Sequence, residues 1–283
     1  MHDDDQTLPP DDELQELEVT AADLATLAGA EIRASFGRTL AVRSKGEEAG
    51  PGAFKDPVSE VDHRVEKILR DRLAESFPEH AIVGEEMATR SGRDTDFVWV
   101  VDPIDGTTNF VNGLPLFAAS IGVLFRGRPV VGALWCSTSH AIRAGVYHAR
   151  AGGRLRFEDE PIEFKGGSGL RRHLAGMPSV ERADLPWDVR KTGSAAIECA
   201  FVAAGLLRVA RFDAPNVWDV AGGIALVRAT GGEVLTRGEG GWARFERFEL
   251  MQAAGGSGLR PWRQPLIIGE PEAAHELAGL SPA

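Results

Sequence analysis

Apolar residues at Leu14, Leu17, Ala21, Leu24, Ala28, Ile32 and Phe36 recur at helical spacing. They predict a long amphipathic first helix opening at Asp11 or Asp12, where carboxylates suit the positive helix end. After a polar loop, Val61, Val65, Ile68, Leu69 and Leu73 predict a second helix from about Ser59 to Ser76, closed before Pro78. Period-two and continuous apolar runs then take over. Ala81 to Val83 and Phe97 to Val101 read as buried strands, Ala118 to Phe125 and Pro129 to Trp135 as a hairpin around Arg126-Gly127-Arg128, and Ala144 to His148 as one more strand.

The stretch from Ala151 to Gly169 is rich in glycine and charge, which places a division near residue 150. Beyond it the signals alternate: a helix from Ser194 to Ala204, a strand at Val209 to Phe212, a helix from Trp218 to Ala229, a strand after Gly231-Gly232, a strand at Pro265 to Ile268 and a helix from Glu270 to Leu280. Three segments result: an acidic, disordered tail over 1–18, an α+β half over 19–150 and a second half over 151–283. Periodicity by itself supports a mixed α and β fold.

Charge sharpens this division. The 283 residues hold 42 acids and 31 Lys and Arg, a net charge of −11. Eight of the acids lie in residues 1–18, which contain no Lys or Arg, so the rest of the chain is close to neutral. A general nucleic-acid binder, which needs bases to neutralise phosphates, is excluded as the primary reading. Cys136 and Cys199 form no Cys-x-x-Cys pair. With neither a leader-like start nor an apolar run long enough to span a bilayer, the expectation is a cytoplasmic protein without membrane partners.

The chemistry concentrates in Trp99 to Phe110. A buried strand delivers Asp102 to its end, Pro103 opposes simple continuation, Asp105 returns three residues later, Gly106 permits a tight turn, and Thr107 and Thr108 can open a helix. Two carboxylates beside a helix start suit a hard cation and a phosphate; they equally suit a strand-to-turn with two capping aspartates. Glu85, in Gly84-Glu85-Glu86, reads as a loop charge or a ligand, and Asp219, after Trp218, as an N-cap or a ligand. No histidine lies in these segments and no Walker, dinucleotide or Gly-x-Ser-x-Gly fingerprint stands in context, which disfavours zinc and a covalent serine intermediate.

In order, Asp56 to Asp62, Gly84-Glu85-Glu86, Asp102 to Phe110, Gly193-Ser194-Ala195-Ala196 and Trp218 to Gly222 resemble the inositol monophosphatase family over about residues 20–270. The resemblance implies a layered αβαβα sandwich of the sugar phosphatase type, usually a homodimer, and lithium-sensitive hydrolysis of phosphate monoesters with two or three Mg²⁺ ions. It implies that Glu85, Asp102 and the Ile104 carbonyl hold one ion, and that Asp102, Asp105 and Asp219 hold another. Thr107 with Asp62, and Glu85 nearby, would activate water.

Gly106, Thr107 and Thr108 would face the phosphate, and Ser194 and Ala195 the rest of a small phosphorylated metabolite. Relatives acting on inositol phosphates carry an acid seven positions before the Trp-Asp aspartate. Here Phe212 stands there, with Asp213 next. The substrates implied are an inositol-1-phosphate-like polyol or sugar phosphate, histidinol phosphate, fructose 1,6-bisphosphate or 3′-phosphoadenosine 5′-phosphate; a regulatory or scaffold role is the alternative.

Overall fold

The computed structural model describes residues 8–38, 42–44, 57–92, 96–162, 173–179, 185–253 and 256–280. The helices are α1 (Asp11–Ser35), α2 (Glu60–Ser76), α3 (Thr107–Val111), α4 (Ala195–Ala203), α5 (Val217–Ala229) and α6 (Pro271–Leu280). A small ladder pairs β1 (Val42–Ser44) with β2 (Pro57–Ser59). Strands β3 (Ala81–Gly84), β4 (Phe97–Asp105), β5 (Ala118–Phe125), β6 (Arg128–Cys136), β7 (Gly145–Arg150), β8 (Arg156–Phe157) and β9 (Glu160–Pro161) lie in chain order in a seven-stranded sheet, where β3 runs parallel to β4 and the other pairs are antiparallel.

The second sheet is built from β10 (Leu174–Gly176), β11 (Asp188–Arg190), β12 (Val209–Phe212), β13 (Glu233–Gly238), β14 (Gly241–Arg244) and β17 (Leu266–Gly269), with spatial order β11-β10-β12-β17-β13-β14. Strands β15 (Met251–Ala253) and β16 (Gly256–Gly258) pair separately.

Side-chain alternation sets the layering, because successive strand residues face opposite sides. On β4, Trp99 and Val101 join Leu17, Ile32, Val65 and Leu69 of α1 and α2, while Val100 faces α4 and α5. On β17, Leu266 and Ile268 enter that same central core, and Ile267 packs with Ala274 and Leu277 of α6. The order is helix, sheet, helix, sheet, helix, the expected αβαβα arrangement.

Helix α5 sits unusually close to the first sheet. A Cβ on Gly132 would lie 2.1 Å from the Gly222 carbonyl oxygen, and one on Gly122 would lie 2.7 Å from the Gly222 nitrogen. Backbone therefore meets backbone, as the small residues after Asp219 suggest.

Three expectations are corrected. The acidic segment is not a tail to residue 18: α1 begins at Asp11, and Glu18 is buried, accepting from Arg150 Nη1 at 2.9 Å and sharing a 2.7 Å hydrogen bond with His148 Nδ1. These partners satisfy a carboxylate that would otherwise be expensive to bury. Residues 1–7 lie outside the described residues. The division near 150 falls inside the first sheet, since Leu155 and Phe157 bury their side chains in the central core and β8 and β9 extend the pairing to Pro161. Glycines there serve turns, as at Gly152 with φ +75°. Finally, β4 continues through Pro103 to Asp105, because a register shift between Asp102 and Asp105 places the proline where no ladder hydrogen bond is required.

Candidate active site

Strand β4, next to the sheet edge, carries Asp102 and Asp105 inward, 1% and 8% exposed. Gly106 follows at φ +88°, and a Cβ there would come 3.1 Å from the Leu116 carbonyl oxygen and 3.2 Å from Ser194 Cβ, so the turn requires glycine. The first turn of α5 brings Asp219 to the same place: one carboxylate oxygen from each of Asp102, Asp105 and Asp219 lies within 4.8 Å of the others. Glu85, in the loop after β3, shares a hydrogen bond with Asp102. The four acids named from sequence are thus brought together from three separate segments.

Burial and crowding make these acids poor at ionising alone. Asp102 is raised well above the ordinary carboxylate range, first by loss of water and then by the charges of Glu85, Asp105 and Asp219. Burial also raises Asp105 to about 7, against the lowering pull of hydrogen bonds from Ser194 and Ala196. Asp219 rises to about 7 through burial and the charge of Asp105.

The oxygens are divided between protein donors and the centre. Asp105 Oδ2 accepts from Ser194 Oγ at 2.5 Å and Ala196 N at 2.6 Å, and Asp219 Oδ2 accepts from Asn216 N at 2.7 Å. Asp102 Oδ1 is buried with no hydrogen-bond partner among the described residues. A buried orphan oxygen inside an all-oxygen cluster is the signature of a hard-cation site, and these residues fit Mg²⁺. The thiols of Cys136 and Cys199 are both buried and pushed up by burial, which leaves them neutral packing groups.

Beside the cluster, Thr107 Oγ1 lies 3.0 Å from Asp62 Oδ1 and 2.8 Å from the Ile104 carbonyl oxygen. Asp62 is fully buried on α2. Its neighbour His63 turns outward, 57% exposed, as the helical angle between successive residues requires. Thr108 is exposed and its carbonyl accepts from Asn112 Nδ2 at 2.8 Å, ending the short α3.

The substrate-facing assignments divide differently. Ser194 caps α4 by accepting from Ile197 N at 3.2 Å and simultaneously donates to Asp105; Ala195 N also bonds Asp105. Their polar groups hold a candidate ligand, and Ala195 itself is half-buried. Phe212 is 7% exposed within the central core, its strand position pointing the ring between the sheets. Asp213 is exposed, and its Oδ1 lies 3.2 Å from Arg211 Nε.

Two positioning residues escaped sequence reasoning. Glu66 is fully buried, and its carboxylate accepts from Glu86 N at 2.6 Å and Met87 N at 3.0 Å, fixing the loop that carries Glu85. Asn109 Nδ2 donates to the carbonyls of Leu116 at 2.6 Å and Thr192 at 2.8 Å, tying α3 to the segment before α4. Asn109 stood inside the central motif, whereas Glu66 lies outside every motif, and its pairing with Arg70 one helical turn on gives no sign of the loop it holds.

The profile described as "Inositol monophosphatase family" matches residues 13–269. The chain belongs to the inositol monophosphatase family. An inositol-1-monophosphatase from Mycobacterium bovis is 35% identical over 257 residues, covering 80% of this chain and 86% of that protein. A protein named fructose-1,6-bisphosphatase/inositol-1-monophosphatase from Aquifex aeolicus is 29% identical over 238 residues, 77% of this chain and 85% of its own length. Among solved structures, the extragenic suppressor protein suhB from Bartonella henselae superposes with a TM-score of 0.73 at 25% identity, covering 93% of this chain and 97% of that one. Homologues in the inositol monophosphatase family are phosphoric monoester hydrolases. Among the described residues no helix is long and apolar enough to cross a membrane.

Proposed function

We propose that this protein hydrolyses a small phosphate monoester, of a polyol or sugar, using Mg²⁺. The observation that carries the reading is the triad of buried Asp102 and Asp105 and half-buried Asp219 with the unpartnered Asp102 Oδ1, set beside the Thr107–Asp62 pair. In this reading Glu85, Asp102 and the Ile104 carbonyl hold one ion, and Asp102, Asp105 and Asp219 a second; a third, weaker ion near Glu85 belongs to the same proposal. Bound Mg²⁺ would neutralise the phosphoryl oxygens and acidify a bound water.

The chain's own residues do the rest. Thr107 Oγ1 has one proton and two acceptors within reach. Donating that hydrogen bond to Asp62 turns the hydroxyl's lone pairs toward the attacking water. The amides of Gly106 and Thr107, at a helix start where N–H groups lack intrahelical partners, donate to phosphate oxygens. Asp213, exposed beside Arg211, is the candidate acceptor for a substrate hydroxyl.

Phosphate release from inositol 1-phosphate, histidinol phosphate, fructose 1,6-bisphosphate and 3′-phosphoadenosine 5′-phosphate tests the proposal. Turnover of at least one is expected with Mg²⁺ and none with EDTA; failure on all four refutes it. Li⁺ should inhibit, and undiminished activity at high Li⁺ would contradict the second ion's placement. A homodimer, implied by the family resemblance, is part of the same proposal, as is the cytoplasmic location expected from the sequence, and light scattering checks the stoichiometry.

A further inference from the structure

The loop bearing Glu85 leaves β3 and returns beside it, with Ile82 and Arg90 exchanging two 2.9 Å backbone hydrogen bonds. Between those two residues the peptide groups need partners. Glu66 supplies acceptors for the N–H groups of Glu86 and Met87, after the ligand position. The carbonyls are met from the other end of the chain. Arg260 Nη2 donates to the Glu85 carbonyl at 2.9 Å, and Nη1 donates to the Met87 carbonyl at 2.9 Å and to the Gly84 carbonyl.

The same guanidinium lies 5.0 Å from the ring centroid of Trp218, the residue immediately before Asp219. Arg260 is itself held. It sits in a turn closed by Trp262 N on the Leu259 carbonyl at 3.0 Å, with Leu259 6% and Trp262 1% exposed, and Trp262 packs edge-on to Phe248 at 4.7 Å. A planar fork can meet several carbonyls and a ring face at once; an ammonium cannot.

We infer that Arg260 is a positioning residue that sets where Glu85 stands relative to Asp219, and so tunes the cation affinity of the site from outside it. The inference rests on the metal-site reading above. It concerns a group that touches neither cation nor substrate: by holding the peptides on either side of Glu85 while stacking on Trp218, Arg260 links two ligand-bearing segments that no sequence motif connects. Outer partners that orient ligands in this way typically affect metal affinity by about 10–100-fold.

The test is calorimetric titration of Mg²⁺ into the metal-free full-length protein, comparing wild type with Arg260→Lys, Arg260→Ala, Glu85→Gln and, as a control, Arg126→Ala, at an exposed arginine that pairs with Asp96 and lies over the Phe125 ring. Both Arg260 variants should bind Mg²⁺ about 10–100-fold more weakly. Added guanidinium ion should restore part of the Arg260→Ala loss and none of the Glu85→Gln loss, a response that a general packing defect would not give. Arg260→Lys, which keeps the stem and charge, guards against an unfolded alanine variant.

Affinity within twofold of wild type in both Arg260 variants, with Glu85→Gln weakened, overturns this inference alone. A loss in Arg260→Ala that tracks reduced unfolding stability and shows no guanidinium rescue also overturns it. If Glu85→Gln itself binds Mg²⁺ normally, the metal-site reading fails and takes the inference with it.

Discussion

A buried cluster of acids built for cations should make the cation-free protein less stable, and Asp105→Asn measures by how much. Asp105 is raised from 3.8 to about 7 in the folded state. A raised folded pKa gives stability that is complete below the unfolded value and is lost as pH rises through the folded one. Above pH 7 the buried charge therefore costs about 4 kcal/mol relative to a neutral group, and at pH 5 about 2 kcal/mol.

Asparagine is neutral and can still accept from Ser194 Oγ and Ala196 N, and what those bonds give the charged carboxylate is already contained in its value of about 7. The net expectation in EDTA is that Asp105→Asn stabilises the fold by about 4 kcal/mol at pH 8 and by about 2 kcal/mol at pH 5. These are upper values, since Asp102 and Asp219 ionise further once their neighbour is neutral. With Mg²⁺ at a hundred times its dissociation constant, wild type gains about 2.7 kcal/mol and the variant little, which cuts the variant's advantage to about 1 kcal/mol at pH 8 and reverses the order at pH 5. Urea unfolding at both pH values, with and without Mg²⁺, is the assay. Equal destabilisation by Asp105→Asn under all four conditions would refute the account of the cluster as strained without its cation.

Three other outcomes are expected. Thr107→Ala and Asp62→Asn should each lower kcat about 10²–10⁴-fold while leaving Mg²⁺ affinity near wild type, read by steady-state kinetics and calorimetry. Burial lowers the pKa of His148, but hydrogen bonds to Glu18 and the Glu158 carbonyl raise it further, so the net shift is above 6.5; their stabilisation is present below pH 6.5 and fades as pH rises through the folded value. Glu18→Gln should flatten that part of the pH–stability curve. Asn109→Ala leaves the Leu116 and Thr192 carbonyls without their donor and should cost about 1–3 kcal/mol, measured by denaturant unfolding.

Local chemistry was legible where the chain delivers it locally. Asp102, Asp105, Gly106 and Thr107 follow one strand end, so a strand, a turn and a helix start read in order are enough to bring them together. Glu85 and Asp219 carried no such local signal; each looked like an ordinary loop or cap charge until the family pattern joined them. Ser194 shows the limit of the local view from another side. It is a true N-cap, yet the same hydroxyl donates to a carboxylate 89 residues earlier.

Glu66 and Arg260 were illegible for the same reason. A glutamate four residues before an arginine reads as a solvated helix pair, and only tertiary burial reveals that its oxygens hold a distant loop. Strands β8 to β11 are two or three residues long and carry no measurable period. Asp213 and Phe212 could not be ranked from spacing, because adjacent strand residues face opposite sides and the register decides which is inward.

The contact of Gly222 with Gly122 and Gly132 has a consequence for how such a protein can change. Asp219 rides on a helix whose closest approach to β5 and β6 is main chain against main chain, with only Leu134 and Ala221 side-chain atoms beside it. Gradual adjustment of that gap by substitution is therefore closed, since the smallest possible addition already overlaps an atom. Variation in ion preference has to enter through the Glu85 loop and its outer supports, where side chains of graded size and charge do the holding. One edge of the cluster is a fixed wall, and the opposite edge is the part selection can move.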